Sequence, residues 1–413
     1  MGSWCLYDWA NSAFPTIIST FVFATYFTTA VAEDTNAGTA QWGYALSIAA
    51  IVIAVVSPPL GAAADRMGRR KPWLALTTLM CIGGTAAMWF VQPDPTFVLP
   101  ALLALIVATV GFEVATVFYN AMLPELISPQ RMGRLSGWAW GLGYAGGLVC
   151  LVIALTLFVQ RETPPFGLDK ESAEHVRATF LLVALWYAAF AWPLFLFVPD
   201  RGGDGMGPAR AMREGLAAMT RLLRDLRSHP NVLRYLIARM IYTDGLNTLF
   251  SFGGIYAAGT FGMSFSEIIQ FGIGMNLAAG VGAASFGWVD DRIGPKRTVM
   301  ISIVALIGIG IMLLVIETKT QFWVFGLLLS VFFGPVQAAS RTFMARLAPE
   351  SLRTEMFGLY ALSGKITAFM GPAVLGWATV SFGSQRAGMA TILVFLVVGG
   401  ALLLSVKEPP VEA

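Results

Sequence analysis

The chain has 413 residues, of which 56% are hydrophobic and only 12% charged, and its 27 Lys and Arg against 24 Asp and Glu leave a net charge of +3. A water-soluble domain carries about 25% charged residues, so the composition excludes a soluble enzyme or binding module. Long apolar runs, rather than ten-residue alternating strands, point to an all-α integral membrane protein whose first partner is the lipid bilayer, with no sign of nucleic acid binding.

The chain begins MGSWCLYDWANS, without Lys or Arg. Ala30-Val31-Ala32 imitates a leader cleavage site, but the apolar run before it is too long and contains Asp8 and Asn11, so it reads as a retained first helix. Apolar segments near the ~20 residues a bilayer demands then follow at 41–64, 72–92, 97–123, 133–160 and 176–198. A second set lies at 231–261, 265–289, 297–317, 320–346, 354–382 and 386–406. With the first at 5–32 they make twelve, divided into bundles at 1–199 and 231–413 by a polar linker at 200–230. In that linker Met212, Leu216, Met219, Leu223 and Leu226 recur at helical spacing with Arg210, Arg213, Arg221, Arg224 and Arg227 between them. The pattern predicts an amphipathic helix on the membrane surface; a partner-binding helix is the alternative.

Loop charge orients the spans. Arg66, Arg69, Arg70 and Lys71, then Arg131 and Arg134, then Arg292, Lys296 and Arg297, then Arg346 and Arg353 all fall in alternate loops. Residues 33–41 and 91–96 on the other side hold no Lys or Arg. By the positive-inside rule the basic loops and both termini are cytoplasmic. Cys5, Cys81 and Cys150 lie in or beside apolar segments as packing residues, and His175 and His229 sit in polar connectors, so neither a metal site nor a cofactor is expected. The phosphate-loop imitation at Gly358–Ile366 has the wrong spacing and lacks Ser or Thr after Lys365, and no other enzyme motif occurs.

The chain repeats itself. Gly61–Lys71, GAAADRMGRRK, returns at Gly287–Arg297 as GWVDDRIGPKR, with Gly61, Asp65 and Gly68 each displaced by 226 residues. Gly68 and Gly294 suit a turn that needs positive φ, and the flanking cations suit a membrane interface. Asp8-Trp-Ala-Asn11 returns as Asp244-Gly-Leu-Asn247, displaced by 236, which puts Asp and Asn about one turn apart in the first helix of each half. Leu123-Pro124-Glu125 and Ala348-Pro349-Glu350 form a looser third pair. Such parallel repeats are expected of two six-helix halves.

The duplicated loop resembles the signature of the major facilitator superfamily, found between helices 2 and 3 and more weakly between 8 and 9. The resemblance implies two pseudo-two-fold-related six-helix bundles around a central path, working by alternating access. It also implies a cytoplasmic gate of charge contacts, with Gly61, Asp65, Arg66, Gly68, Arg70, Asp291 and Arg292 in the loops. Glu125 with Arg131 and Glu350 with Arg353 resemble the partner pairs after helices 4 and 10. Pro295 replaces the first Arg after Gly294, so a weaker second latch is expected. The start Tyr7-Asp8-Trp9-Ala10-Asn11-Ser12-Ala13-Phe14 resembles the vacuole-effluxer-like branch, related to autophagy-associated fungal vacuolar amino-acid exporters. The helix 5 glycines partly resemble an antiporter motif, but Gly143 stands where proline is expected.

An ionisable side chain near the bilayer centre costs about 2.5–3.5 kcal/mol, so it faces a cavity or a partner. Asp8, Glu113, Arg239, Asp244, Arg341 and Lys365 qualify, with Asn11, Asn120, Asn247, Asn276 and Gln337 as polar neighbours. We expect Asp8, Asn11, Glu113, Asn120, Asp244, Asn247, Gln337 and Lys365 to form one substrate cavity. Glu113 and Asp244 are the candidates for proton coupling, Glu113 as the carrier and Asp244 as an ion-paired or substrate-binding group. The expected function is secondary transport of a small polar solute, an amino acid or related zwitterion, by a monomer in a bacterial inner membrane. An organic-anion or drug-type transporter, or a non-transporting receptor on the same fold, are the alternatives.

Overall fold

The computed structural model describes residues 1–200, 210–211, 213–214 and 229–409. The expected linker helix falls almost wholly outside these residues. Among them every regular element is helical. The first six helices are α1 (Gly2–Val31), α2 (Thr35–Met67), α3 (Lys71–Ala87), α4 (Val98–Leu126), α5 (Met132–Ile153, continued by Ala154–Val159) and α6 (Glu174–Phe197). The second six are α7 (Pro230–Phe261), α8 (Phe265–Ile293), α9 (Pro295–Val315), α10 (Lys319–Leu347), α11 in two pieces (Arg353–Ser363 and Met370–Phe382) and α12 (Gln385–Leu404). Nine of these, α7, α8 and the broken α11 excepted, are long and apolar enough by themselves to cross a bilayer.

Three helices depart from regular α geometry: α5 widens to π turns over Ala154–Val159, and α1 and α11 are altered within their length. In α1 the backbone widens to π turns over Phe14–Phe21 and Phe27–Val31. Pro15 removes an amide there and crowds the preceding turn. The Thr16 and Thr20 hydroxyls donate to the Ser12 and Pro15 carbonyls, so polar backbone is not left bare at membrane depth. In α11 the helix stops at Ser363, turns tightly over 364–369 and restarts at Met370. Pro372 lies in the first turn of the second piece, where its missing N–H leaves no helical bond unmade.

The halves meet where α5 packs on α8 and α2 on α11. Small residues permit this contact: a Cβ on Gly137 would lie 2.4 Å from the Ala283 carbonyl, and one on Gly61 would lie 2.7 Å from the Thr354 carbonyl. Gly143, Gly146 and Gly147 do the same for α5 against α1, where a Cβ on Gly146 would lie 2.3 Å from the Trp9 carbonyl. The start of α1 and the residues that follow α12 lie at the end of the molecule that carries the basic loops. Lys296 there donates to the Leu404 and Val406 carbonyls, and Cys5 contacts the Leu135 carbonyl at the start of α5.

Candidate functional site

Between the halves lies a cavity of about 390 Å³. Asp8 and Asn11 from α1, Glu113 and Asn120 from α4, Asn247 from α7, Gln337 from α10 and Lys365 from the α11 break all line it, as do Arg239 and Arg341. Asp244 does not. On α7 the lining stripe is Arg239, Thr243 and Asn247, spaced by four. Asp244 stands ~100° round from Thr243, is 2% exposed, and has one carboxylate oxygen buried without a hydrogen bond among the described residues. The duplicated Asp-x-x-Asn is therefore used differently in the two halves. In α1 the Asn11 amide donates to Asp8 at 3.4 Å and both face the cavity, whereas in α7 only the Asn does. The expected pairing of the two acids is reversed. Glu113 is the ion-paired one, held by Lys365 at 2.7 Å, while Asp244 forms no ion pair among the described residues.

Three cations surround the cavity, each held differently. Lys365 has its helical backbone interrupted and bridges from the second half to Glu113 in the first. Arg239 donates to the Tyr360 carbonyl at 2.6 Å and to the Ser363 hydroxyl at 2.8 Å. Those groups end the first piece of α11, where unsatisfied carbonyls and the helix dipole favour a cation. The Tyr360 ring covers the guanidinium at 3.4 Å. No carboxylate pairs with Arg239 among the described residues, and its Nε is buried without a hydrogen bond. Arg341 projects from α10 into the first half. It donates through Nε to the Ser136 hydroxyl at 2.9 Å, through Nη1 to Asp8 at 3.0 Å and Asn120 at 3.3 Å, and through Nη2 to the Ser136 carbonyl at 2.8 Å. The Trp4, Tyr119 and Trp140 rings surround it at 5.0, 5.7 and 5.8 Å. The list of intramembrane polar residues contained Asp8 and Arg341 but did not couple them, and nothing in it indicated Ser136.

The basic end of the molecule is closed by contacts between the halves. Asp65 accepts from the Thr354 amide at 2.8 Å, the Thr354 hydroxyl at 2.5 Å and the Glu355 amide at 3.0 Å. It thus supplies from α2 the side-chain cap that Leu352, at the N-terminus of α11, does not provide. Arg70 joins the same cluster through Thr354 at 2.6 Å, Asp65 at 3.3 Å and Glu125, and Arg353 approaches Glu125 at 3.8 Å. The second copy repeats the geometry with the halves exchanged. Asp291 accepts from the Arg134 amide at 3.2 Å and the Arg134 side chain at 2.6 Å, at the start of α5.

Gly68 and Gly294 turn with φ of 68° and 90°. Lys71 and Lys296 each cap the C-terminal carbonyls of their half's sixth helix, Lys71 through Phe195. Beyond Pro295 the second loop differs: Arg346 links Glu408 of the chain end at 3.3 Å to the Pro129 carbonyl of the first half at 3.0 Å. Burial pushes the Glu408 carboxyl up, while Arg346 beside it pulls the other way. The implied gate also included Arg66, Arg131 and Arg292. These three are exposed and form no ion pair among the described residues, because they project to the surface from turns whose other residues face the interface. Glu125 is taken by Arg70 and Arg353 instead of Arg131, and Glu350 is exposed.

No group of three His, Cys, Asp or Glu suited to a metal ion occurs among the described residues. The chain is similar to solved transporter structures over nearly its whole length. These include FucP, a major facilitator superfamily transporter in the outward conformation (TM-score 0.75, 13% identity, 98% of this chain and 97% of that one). Another is the human organic anion transporter MFSD10 (TM-score 0.73, 14% identity, 97% and 98%). Among curated proteins it is 27% identical to an MFS-type transporter of Bacillus subtilis, YxiO, over 98% of this chain and 94% of that protein. It is 22% identical to autophagy-related protein 22 of Coccidioides immitis, over 88% and 72%. The "Vacuole effluxer Atg22 like" family profile matches residues 39–409. With twelve bundle helices among the described residues, in the major facilitator fold, and a match across most of its length, the chain belongs to the Atg22-like vacuole-effluxer family of membrane transporters.

Proposed function

We propose that this transporter carries a small zwitterion, an amino acid or close relative, by alternating access. The observation that carries the reading is Arg239, a buried cavity-lining cation that no carboxylate neutralises among the described residues. A buried charge without a counter-ion is costly, and a substrate carboxylate at Arg239 relieves it. Asp8 and Glu113 on the opposite wall suit an ammonium. With the basic loops cytoplasmic, the contacts of the Asp65 and Asp291 clusters fit a state closed toward the cytoplasm. Movement of the solute across a bacterial inner membrane is coupled to protons through the cavity acids.

Counterflow of labelled amino acids in proteoliposomes tests the substrate class. Arg239→Lys keeps the charge but loses the planar two-pronged donor. It should raise the half-saturating concentration by about tenfold or more, the loss of one charge-assisted hydrogen bond. Unchanged affinity would remove Arg239 from the site.

A further inference from the structure

Arg341, like Lys365, is a cavity-wall cation that belongs covalently to one half and electrostatically to the other. Its four hydrogen bonds run to Asp8, Asn120 and Ser136, on α1, α4 and α5. Its aromatic neighbours Trp4, Tyr119 and Trp140 come from the same three helices. Those walls are themselves fixed. Trp4 and Tyr119 stack at 4.4 Å, and each side chain donates to the other's backbone carbonyl, at 3.2 and 3.0 Å. Next to this socket the Ser136 hydroxyl donates across the interface to the Ala338 carbonyl. Arg341 and Asp8 both line the cavity, and both are nearly buried, at 3% and 8% exposure. The guanidinium therefore sits between the cavity and the basic end, as a plug from the second half seated in a socket of the first.

Opening the basic end requires the two halves to part there, which withdraws Arg341 from its socket. Asp8 and Arg341 would then each be a buried charge without a partner, the most unfavourable fate of a broken internal pair. We infer that the substrate supplies the replacement partner: its ammonium takes over Asp8, and this releases the Arg341 plug. An acid that lacks the amino group can occupy Arg239 but cannot satisfy Asp8, so it binds without opening the gate. This inference rests on the zwitterion reading above and adds that the substrate's amino group is the trigger for translocation, distinct from the carboxylate that gives affinity.

Two measurements on the full-length protein test it separately. The first is counterflow in proteoliposomes with the tritiated standard L-amino acids, comparing the one exchanged fastest with its counterpart bearing hydrogen in place of the α-amino group. We expect the deaminated acid to inhibit exchange competitively, yet to exchange itself about tenfold slower or less, within the usual range of coupling between a ligand and a conformational equilibrium. Equal exchange of the two would overturn the trigger.

The second measurement is amide hydrogen exchange over residues 132–137, the first turns of α5 in the closed contact, for Asp8→Asn and Arg341→Lys against the native chain. Each variant should raise exchange by about tenfold, because each weakens the plug while keeping a side chain of similar size. Unchanged exchange in both would show that the plug does not hold the gate. If no amino acid is exchanged at all, the zwitterion reading and its trigger both fall, while the exchange measurement still decides whether Arg341 is a gate.

Discussion

Asp65 gives the most direct test of the closed basic end. Its carboxylate satisfies two backbone amides and one hydroxyl of residues 354–355 across the boundary between the halves, and the Arg70 side chain of its own half. In Asp65→Asn one oxygen still accepts, but the charge and the second acceptor are lost. An N-terminal cap and its favourable interaction with the helix dipole are together worth about 1–2 kcal/mol. Arg70 keeps Glu125 as counter-ion, so no larger penalty for an abandoned buried charge arises. The closed-to-open ratio should then fall by a factor of roughly 5–30. Amide exchange over residues 353–360 should accelerate by that factor. Transport velocity should change, while the half-saturating substrate concentration moves less, because the latch contacts one end-state and not the substrate. If exchange and velocity both match the native chain, the capping contact does not hold the gate, and the geometric pairing of loop and helix has no energetic weight.

The chain end tests the second loop. Gly294 has φ of 90° and ψ of 155°, and a Cβ there would lie 2.4 Å from a Glu408 carboxylate oxygen. Gly294→Ala should therefore cost about 1–3 kcal/mol of backbone strain and lower the thermal midpoint of the detergent-solubilised protein; an unchanged midpoint would refute the strain argument. Glu113→Gln removes the negative charge that the Lys365 ammonium faces at 2.7 Å. If Glu113 carries the coupling proton, this variant should abolish the dependence of uptake on an imposed pH gradient while counterflow persists. Gradient-driven uptake that survives the substitution would exclude Glu113 from coupling.

The gate was only partly legible before the structure. The displacement of 226 residues singled out Asp65 and Asp291 as equivalent, and they are: each caps the first turn of a helix in the opposite half. Their main donors were not legible, because Asp65 accepts from the amides of Thr354 and Glu355, and a backbone N–H carries no signature in a sequence. Expectation turned instead to the visible cations nearby, and Arg66, Arg131 and Arg292 are exposed. The replacement at Pro295 marked the second loop as different, but not that the chain end would enter it through Glu408 and Arg346.

What the sequence by itself determined were properties carried along the chain: twelve spans, the side on which the basic loops gather, two positive-φ glycines and a short set of polar residues too costly to face lipid. Each follows from local hydropathy, turn chemistry or internal repetition. Tertiary structure alone decided which of those polar residues meet. It turned Asp244 out of the cavity by one step of the α7 helix, interrupted α11 at Lys365, paired that lysine with Glu113, and seated Arg341 against Asp8 from 333 residues away. The reason is physical: the cost of burying a charge states that a partner is needed, whereas which partner satisfies it depends on which helix faces pack together across the two halves.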